Sequence, residues 1–347
     1  MPIVTRVTDL IGNTPLFELA VTPGGTRLLL KLEQFNPTGA AKIRMAREMV
    51  LDAERRGLLE SGGHIIESTS GNTGLGLAVV AAERGYRFTA VVDHHACKDK
   101  LRAMRAMGTD LVYVADAGDD SLATSAREDL AEEMAAARAD AYFTEQHNNA
   151  ANPVGYYAVA DELLEDLGRV DILLSAVGTG GSLFGTARRL HDLGHPARVI
   201  GVEPVGSIAF GGPGGPYWQS GTGTPPGATV GTAVDYSLLD EGVTVSDVDA
   251  FATARAVARR SGLLIGGSAG GSVQVALQRL EEFEPGSTIV TIVCDGGEKY
   301  LDTVFDDQWM SDRELLDHTA ERAVEELLDR YAPARPAETG RDLVGVR

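Results

Sequence analysis

The sequence predicts an α/β protein whose short strands alternate with helices and pair into parallel sheets. Runs of β-branched and apolar residues, such as 87–93 and 171–177, alternate along the chain with segments of helical periodicity. Of the 347 residues, 44% are hydrophobic, which is enough for a sizeable core. The length is sufficient for two domains or lobes. We therefore expect parallel sheets joined by right-handed crossovers and flanked by helices, with a site in the cleft between two lobes.

The first part of the chain shows this alternation segment by segment. Residues 1–26 form a leading segment with a turn at 11–16. Apolar runs and helical spacing then predict a strand at 28–32, a helix after Lys42, a strand at 64–67, a helix to about Gly85, a strand at 87–93, a helix at 98–107, a strand at 111–114 and a helix at 121–138.

The alternation continues to the C-terminus with one long interruption. The predicted elements are a strand at 141–144, a loop at 149–152, a helix beginning at Pro153, strands at 171–177 and 198–203, a helix at 252–260, strands at 263–265 and 288–294, a helix at 313–331 and a loose tail after about 332. Residues 206–235 are rich in glycine and proline and too long for an ordinary connector. They are expected to form an ordered functional loop or a mobile lid.

Charge and cysteine content exclude several classes of function. The 31 basic and 50 acidic residues give a net charge of -19, which argues against nucleic acid and anionic membranes as partners. Cys97 and Cys294 are too few for a disulfide scaffold or a cysteine-rich metal site, so we expect no metal. No signal peptide and no membrane-spanning apolar run are evident. The expected location is the cytoplasm.

The stretch NPTGAAK at residues 36–42 joins a predicted strand to a predicted helix. Ala46, Met49, Val50 and Ala53 share one helical face, which places Lys42 in the first turn of that helix. A cation there opposes the positive end of the helix dipole, and burial would make its amine easier to deprotonate. A neutral amine is what imine chemistry with a carbonyl cofactor requires. The alternative interpretation is an ordinary surface lysine.

Three turns rich in glycine and hydroxyl residues are each predicted to follow a strand and open a helix, where backbone N–H groups bind anions. Residues 178–182 suit a phosphate, although they match neither the nucleotide P-loop nor the dinucleotide fingerprint. A packing turn without a ligand remains an alternative. Residues 68–74 set four small polar side chains around one glycine, which suits a carboxylate, whereas a helix cap needs only one such residue. Ser268, in the third turn, is alternatively a simple helix cap.

Together these motifs resemble the pyridoxal-phosphate enzymes of fold type II, in particular the cysteine synthase and cystathionine β-synthase group, whose fold is two-lobed and tryptophan synthase β-like. The resemblance runs from Ile11 to about Asp295. Residues 36–42 are similar to the lysine segment of that family, 69–74 to its substrate-carboxylate loop, 178–182 to its phosphate site and 267–270 to the turn at the pyridine nitrogen. The resemblance implies pyridoxal 5'-phosphate as the cofactor and amino acids as the substrates.

The resemblance also implies a role for each matching residue. Lys42 would hold the cofactor as an internal aldimine and act as the catalytic base at Cα. Asn72 would contact the ring hydroxyl and Ser268 the ring nitrogen; a serine there does not hold the nitrogen protonated, which suits loss of a β-substituent over transamination. The residues implied for the substrate carboxylate are Thr69, Ser70, Gly71, Thr73 and Gln146. Those implied for the phosphate are Gly178, Thr179, Gly180, Gly181 and Ser182.

Several positions depart from the cysteine synthase pattern. Ala40, Ile43 and Arg44 replace the serine, aspartate and arginine usual around the lysine, and Ser68 stands where proline is usual. Residues 67–72, 208–211 and 295–302 are more similar to the N-(2-amino-2-carboxyethyl)-L-glutamate synthases. These enzymes feed 2,3-diaminopropionate into siderophores and antibiotics.

The resemblance to this branch favours β-replacement on an O-activated L-serine, O-phospho- or O-acetyl-L-serine, through an aminoacrylate. The acceptor would be an amine, L-glutamate, held by Arg44 or by Lys98 and Lys100, each of which could instead be plain surface charge. The alternatives are a cysteine synthase that uses sulfide, a β-eliminating serine or threonine dehydratase, and an inactive homologue that only binds a partner.

The resemblance further implies a division into two lobes. A small mobile domain would span 43–146, and a large domain with the phosphate site would comprise 1–42 and 147–347. A homodimer is expected.

Overall fold

The computed structural model describes residues 3–93, 97–114 and 120–334, except for the side chains of 120–124. The strands in this part of the chain are β1 (Leu16–Val21), β2 (Arg27–Leu32), β3 (His64–Ser68), β4 (Arg87–Val92), β5 (Asp110–Tyr113), β6 (Ala141–Phe143), β7 (Ile172–Ala176), β8 (Arg198–Pro204), β9 (Glu241–Val245) and β10 (Thr288–Val293). The α-helices are α1 (Lys42–Arg55), α2 (Asn72–Arg84), α3 (Lys98–Ala106), α4 (Asp120–Ala136), α5 (Ala151–Val154), α6 (Tyr157–Leu167), α7 (Gly181–Asp192), α8 (Asp247–Ser261), α9 (Gly267–Gln278), α10 (Asp307–Ser311) and α11 (His318–Arg330).

The strands form two separate sheets. The larger sheet has the order β1-β2-β10-β7-β8-β9, and the smaller has the order β5-β4-β3-β6. Every pairing between the described strands is parallel except that of β1 with β2, an edge hairpin that pairs Leu16 with Lys31. The predicted α/β fold with parallel sheets flanked by helices is therefore confirmed. The predicted limits and movement of the two lobes stay predictions.

Helix α1 lies between the two sheets because its apolar residues cover two faces. Met45 and Met49 pack with strand residues of the larger sheet and with α6 and α7. Ala46 and Val50 pack instead with the smaller sheet and α2. The other face of the larger sheet packs against α8, α9 and α11. The first turn of α1 consequently opens into the space where the sheets meet.

Several predicted elements differ in the structure. The helices predicted at 252–260 and 313–331 begin at Asp247 and His318, where Ser246 and Asp317 cap them. Residues 263–265 do not form a strand; Ile265 makes only an isolated bridge to Gly296, because the chain leaves α8 through a left-handed Gly262 and enters α9 within a few residues. Helix α5 begins at Ala151 rather than at Pro153, which lies inside its only turn, where a missing N–H costs nothing. Strands β1 and β9 and helix α10 were not predicted.

The long segment at 206–235 is an ordered loop rather than an unpacked connector. The Ser207 hydroxyl accepts a hydrogen bond from the Thr224 amide at 2.8 Å. The Thr222 hydroxyl and the Gly223 amide both donate to the carbonyl of Val177, at 3.0 and 2.7 Å. These bonds hold the loop across the end of β7. The predicted tail lies almost wholly outside the described residues.

Candidate active site

A pocket of about 330 Å³ lies where α1, α2, α7 and α9 begin. Nearly all of the site residues that were predicted from the sequence lie at this pocket, although they are spread over more than two hundred positions of the chain. Lining it are Lys42, Thr69, Ser70, Gly71, Asn72, Thr73, Gln146, Gly178, Thr179, Gly180, Ser182 and Ser268. Gly181 lies behind the lining, where a Cβ would overlap Oδ1 of Asn152.

Lys42 is the first residue of α1, as predicted from the spacing of the apolar residues. Its Nζ lies 3.3 Å from the hydroxyl of Thr179, and no carboxylate of the described residues is within ion-pair distance. Burial lowers the pKa of Lys42, while the charges of Cys294, Glu67 and Asp295 partly oppose that shift. The pocket therefore contains an amine that is unusually easy to deprotonate.

The helices that begin at the pocket carry no side-chain cap. The residues before α2, α7 and α9 are glycines, which have no side chain to cap these helices. Among the first-turn N–H groups, that of Gly74 in α2 donates to Oγ1 of Thr69 at 3.1 Å and that of Gly181 in α7 donates to Oγ1 of Thr179 at 3.5 Å. By contrast, Ser246 and Asp317 cap α8 and α11. Three helix N-termini, at which the described residues leave most first-turn N–H groups without a partner, thus converge on one pocket. Such ends bind phosphate and carboxylate groups.

The polar loop before α2 is held by its own hydrogen bonds. Oγ1 of Thr69 accepts from the amide of Gly74 at 3.1 Å, and the hydroxyl of Thr73 donates to Oε1 of Gln146 at 2.6 Å. The hydroxyl of Ser70 accepts from Arg127 at 3.1 Å. These bonds give three of the side chains fixed positions beside the N-terminus of α2, as a site for a carboxylate requires.

Asn72 lies in a contact that sequence reasoning missed. Its Nδ2 donates to Asp295 at 2.7 Å, and its Oδ1 accepts from Nζ of Lys299 at 3.0 Å. Lys299 also donates to the carbonyls of Thr38 and Gly39, in the segment that leads to Lys42, at 2.8 and 2.9 Å. One ammonium group therefore ties the lysine segment to the start of α2. The only sequence signal for this contact was the polar run that follows the last buried strand.

The remaining turn residues have distinct environments. Thr179 is engaged, since its Oγ1 accepts from Nδ2 of Asn152 at 3.1 Å in addition to its contact with Lys42. Ser268 is buried, and none of the described residues forms a hydrogen bond with its hydroxyl. Cys294 also lines the pocket, and burial raises the pKa of its thiol to about 11. Ser268 is thus available to a bound molecule, whereas Cys294 is a neutral thiol at neutral pH.

Of the described residues, no group of three or more histidine, cysteine, aspartate and glutamate side chains is arranged to hold a metal ion. Within the same part of the chain, every helix is too short or too polar to cross a bilayer.

Glu67 contacts Gln146, a residue that lines the pocket. It is buried and bonded to the Thr144 hydroxyl and to the backbone and side-chain N–H groups of Gln146. Burial raises the pKa of Glu67 from 4.5 to about 8. Between these two pH values the folded protein retains a proton that the unfolded chain has released, so the stabilising contribution of Glu67 is lost as the pH rises.

The Glu67→Gln variant tests this titration. The difference in free energy of unfolding, wild type minus variant, should fall by up to about 1.4 kcal/mol per pH unit between about pH 5 and about pH 8. Denaturant unfolding of both proteins across this pH range measures this difference. The contributions of the other titrating groups are common to both proteins and cancel in the difference. A difference that stays constant with pH would show that Glu67 keeps an ordinary pKa.

Comparison with known proteins identifies the family. Residues 7–295 match the family described as pyridoxal-phosphate dependent enzyme. The chain belongs to this family. It is 51% identical to a putative cysteine synthase of Sinorhizobium fredii over 90% of this chain and 94% of that one. A hydrogen sulfide-producing enzyme of Fusobacterium nucleatum has a similar structure, with a TM-score of 0.80, 35% identity, and coverage of 86% of this chain and 100% of that one. For O-ureido-L-serine synthase the TM-score is 0.78 and the identity 34%, over 89% of this chain and 100% of that one.

The pocket fits the cofactor of this pyridoxal-phosphate enzyme. An aldehyde cofactor needs a deprotonatable amine, which Lys42 provides. Its phosphate needs N–H donors, which the uncapped start of α7 provides, and its ring nitrogen needs a partner such as the unbonded Ser268 hydroxyl. Within the family, the chain is a β-substitution synthase of the cysteine synthase and cystathionine β-synthase group.

Proposed function

We propose that the chain catalyses β-replacement on O-phospho-L-serine or O-acetyl-L-serine, with Lys42 as the anchor of the cofactor and as the base. The observation that supports this most strongly is the buried Lys42 amine, which forms no ion pair with any described residue and lies among three helix N-termini whose cap residues are glycines. An amine with a lowered pKa can take a proton from Cα and return it at the end of the reaction. The bound cofactor supplies the electron sink for that proton transfer.

The residues around the lysine would orient the substrate. The start of α2, with Thr69, Ser70, Thr73 and Gln146, would bind the α-carboxylate of the substrate, because its cap residue is a glycine without a side chain and the neighbouring polar side chains are fixed. Asn72 would keep one N–H for the ring hydroxyl, since Asp295 and Lys299 fix the direction of its amide.

The start of α7, at Gly178, Thr179, Gly180, Gly181 and Ser182, would bind the phosphate of the cofactor. Ser268 would bind the ring nitrogen. A hydroxyl there leaves the ring a weaker electron sink, which suits β-replacement over transamination.

The proposed acceptor is the amine of L-glutamate, in a reaction toward 2,3-diaminopropionate. The Cβ–O bond breaks and phosphate or acetate leaves with the electron pair, while the amine nitrogen bonds to Cβ and releases a proton. Similarity to O-ureido-L-serine synthase supports an acceptor other than sulfide, since its name states a product that is not cysteine. Lys100 lines the pocket and supplies positive charge for a dicarboxylate.

Arg44 does not belong to this acceptor site, although the sequence suggested it as a cation that could hold glutamate. It is buried beneath α1, 2.7 Å from Glu33 and 2.9 Å from Glu162, and is absent from the lining of the pocket. Its charge is used within the fold. Lys98 is exposed and lies outside this pocket.

A second candidate function is synthesis of cysteine from sulfide. Similarity to the putative cysteine synthase of Sinorhizobium fredii favours it. The same lysine chemistry would serve both functions, because they differ only in the nucleophile that attacks Cβ.

A competition experiment separates the two candidates. Purified holoenzyme receives O-phosphoserine with equal concentrations of glutamate and sulfide, and the products are identified by mass. We expect the glutamate adduct to be the main product. Cysteine as the dominant product, with no adduct, would assign sulfide as the acceptor, and pyruvate alone would indicate elimination.

A further inference from the structure

A second pocket, of about 500 Å³, adjoins the candidate active site; we call it the annex pocket. It lies between α3, the residues around Trp218, the start of α9 and the turn that begins at Lys299. Lys100 and Ser220 line both pockets, so the two cavities meet at these side chains. The annex pocket is therefore placed to hold part of a molecule that reacts in the active site.

Lys100 is a buried cation for which the described residues provide no counter-ion. It is only 6% exposed, and none of the described residues forms an ion pair or hydrogen bond with its Nζ. Among the described residues, Nζ of Lys100 makes a cation–π contact with the ring of Tyr300, whose centroid lies 4.9 Å away. Because burying an unpaired ammonium costs free energy, such a group is usually matched by an anion.

The charges around Lys100 reinforce this requirement. Lys299 also lines the annex pocket. Burial lowers the pKa of Lys299 to about 8, Asp295 opposes that shift, and the nearby charge of Lys100 adds to it. Of the carboxylates that line the annex pocket, Asp99 is exposed and pairs with Arg102, and Asp302 is exposed. The buried carboxylate of Asp295 lines the active site instead, where it accepts from Asn72 and Tyr300.

The walls of the annex pocket suit the carbon skeleton of an amino acid. Trp218 and Trp309 pack edge to face with their centroids 5.6 Å apart, and Phe251 lies beside Trp309. Aromatic walls with a few convergent polar groups are typical of small-molecule sites, and 500 Å³ is within the usual range.

We propose that the annex pocket binds a carboxylate of the acceptor amino acid and that Lys100 is its ionic partner. This inference rests on the proposed function, because it assumes an acceptor that carries a carboxylate. An acceptor held there has its other end directed past Ser220 into the active site. Sulfide has no carboxylate and needs no such pocket, so Lys100 determines specificity for the acceptor.

The test compares the wild-type holoenzyme with Lys100→Met and with Arg105→Met, which removes a cation on the same helix outside both pockets. The KM for glutamate and the KM for sulfide are measured with O-phosphoserine and with O-acetylserine as donors. Loss of a charge-assisted hydrogen bond should raise the KM for glutamate by about tenfold or more in Lys100→Met. The KM for sulfide should stay unchanged, and Arg105→Met should alter neither.

Two results would overturn the proposal. Equal losses with glutamate and sulfide would make Lys100 a structural residue. A higher KM for O-phosphoserine but not for O-acetylserine, with the KM for glutamate unchanged, would place the leaving phosphate at Lys100.

A further measurement separates this inference from the proposed function. If the wild type forms no glutamate adduct, the acceptor proposal fails, and inhibition of the sulfide reaction by glutamate then tests the annex pocket. Inhibition that weakens about tenfold in Lys100→Met would support it. Absent inhibition, or inhibition equal in both proteins, would refute it.

Discussion

The Lys42→Ala variant should lose the absorbance of the bound cofactor and nearly all turnover. Removal of the base alone lowers the rate roughly 10²–10⁴-fold, and loss of the anchor adds to this. Absorbance spectra and kcat measure the two effects. The free energy of unfolding of the apoprotein should not fall, because the variant removes a buried amine that has no ion-pair partner among the described residues.

Lys42→Arg is the matched control for charge. It keeps a cation at the start of α1, but a guanidinium does not deprotonate in proteins and cannot act as the base. We expect it to be as inactive as Lys42→Ala. Near-wild-type turnover in either variant, with unchanged cofactor colour, would remove Lys42 from the chemistry.

The Gly181→Ala variant should weaken both the fold and the binding of the cofactor. The new Cβ would overlap Oδ1 of Asn152 and lie 3.0 Å from Cε2 of Tyr156. Asn152 cannot turn aside freely, because its Nδ2 donates to the Gln146 carbonyl at 2.7 Å and to Thr179. Overpacking of this kind costs about 1–3 kcal/mol. Thermal unfolding of the apoprotein and the cofactor Kd measure the two losses.

Gly215→Ala is the control for a glycine that needs no such space. The nearest heavy atom to its Cβ is 3.7 Å away. In the double variant with Asn152→Ala, part of the loss caused by Gly181→Ala should be recovered, because the overlap is gone. A Kd for Gly181→Ala equal to that of the wild type would show that the start of α7 does not bind the cofactor.

The sequence predicted those parts of the site that depend on local pattern. The apolar spacing after Lys42 placed it at the start of α1, and glycine turns marked the starts of α2, α7 and α9. These signals are local, since a helix N-terminus is determined by residues within one turn. The strand predicted at 263–265 was wrong, because a short apolar run does not distinguish a strand from a buried connection.

Contacts between distant segments could not be predicted. Lys299 bonds to Asn72, 227 positions earlier in the chain, and only the fold brings them together. Arg44 looked like a cation available to a substrate, yet it pairs with Glu33 and Glu162 beneath α1. The sequence shows which residues carry charge, whereas their partners depend on tertiary packing.

The most direct test of the account is to identify the residue that holds the cofactor. Borohydride reduction of the holoenzyme fixes the cofactor to its amine, and peptide mapping by mass spectrometry locates it. Lys42, Lys100 and Lys299 all lie at the active site or in the adjoining annex pocket, so the result discriminates among real alternatives. We predict that the modification is found on Lys42 alone. Modification of Lys100 or Lys299, with Lys42 unmodified, would contradict it.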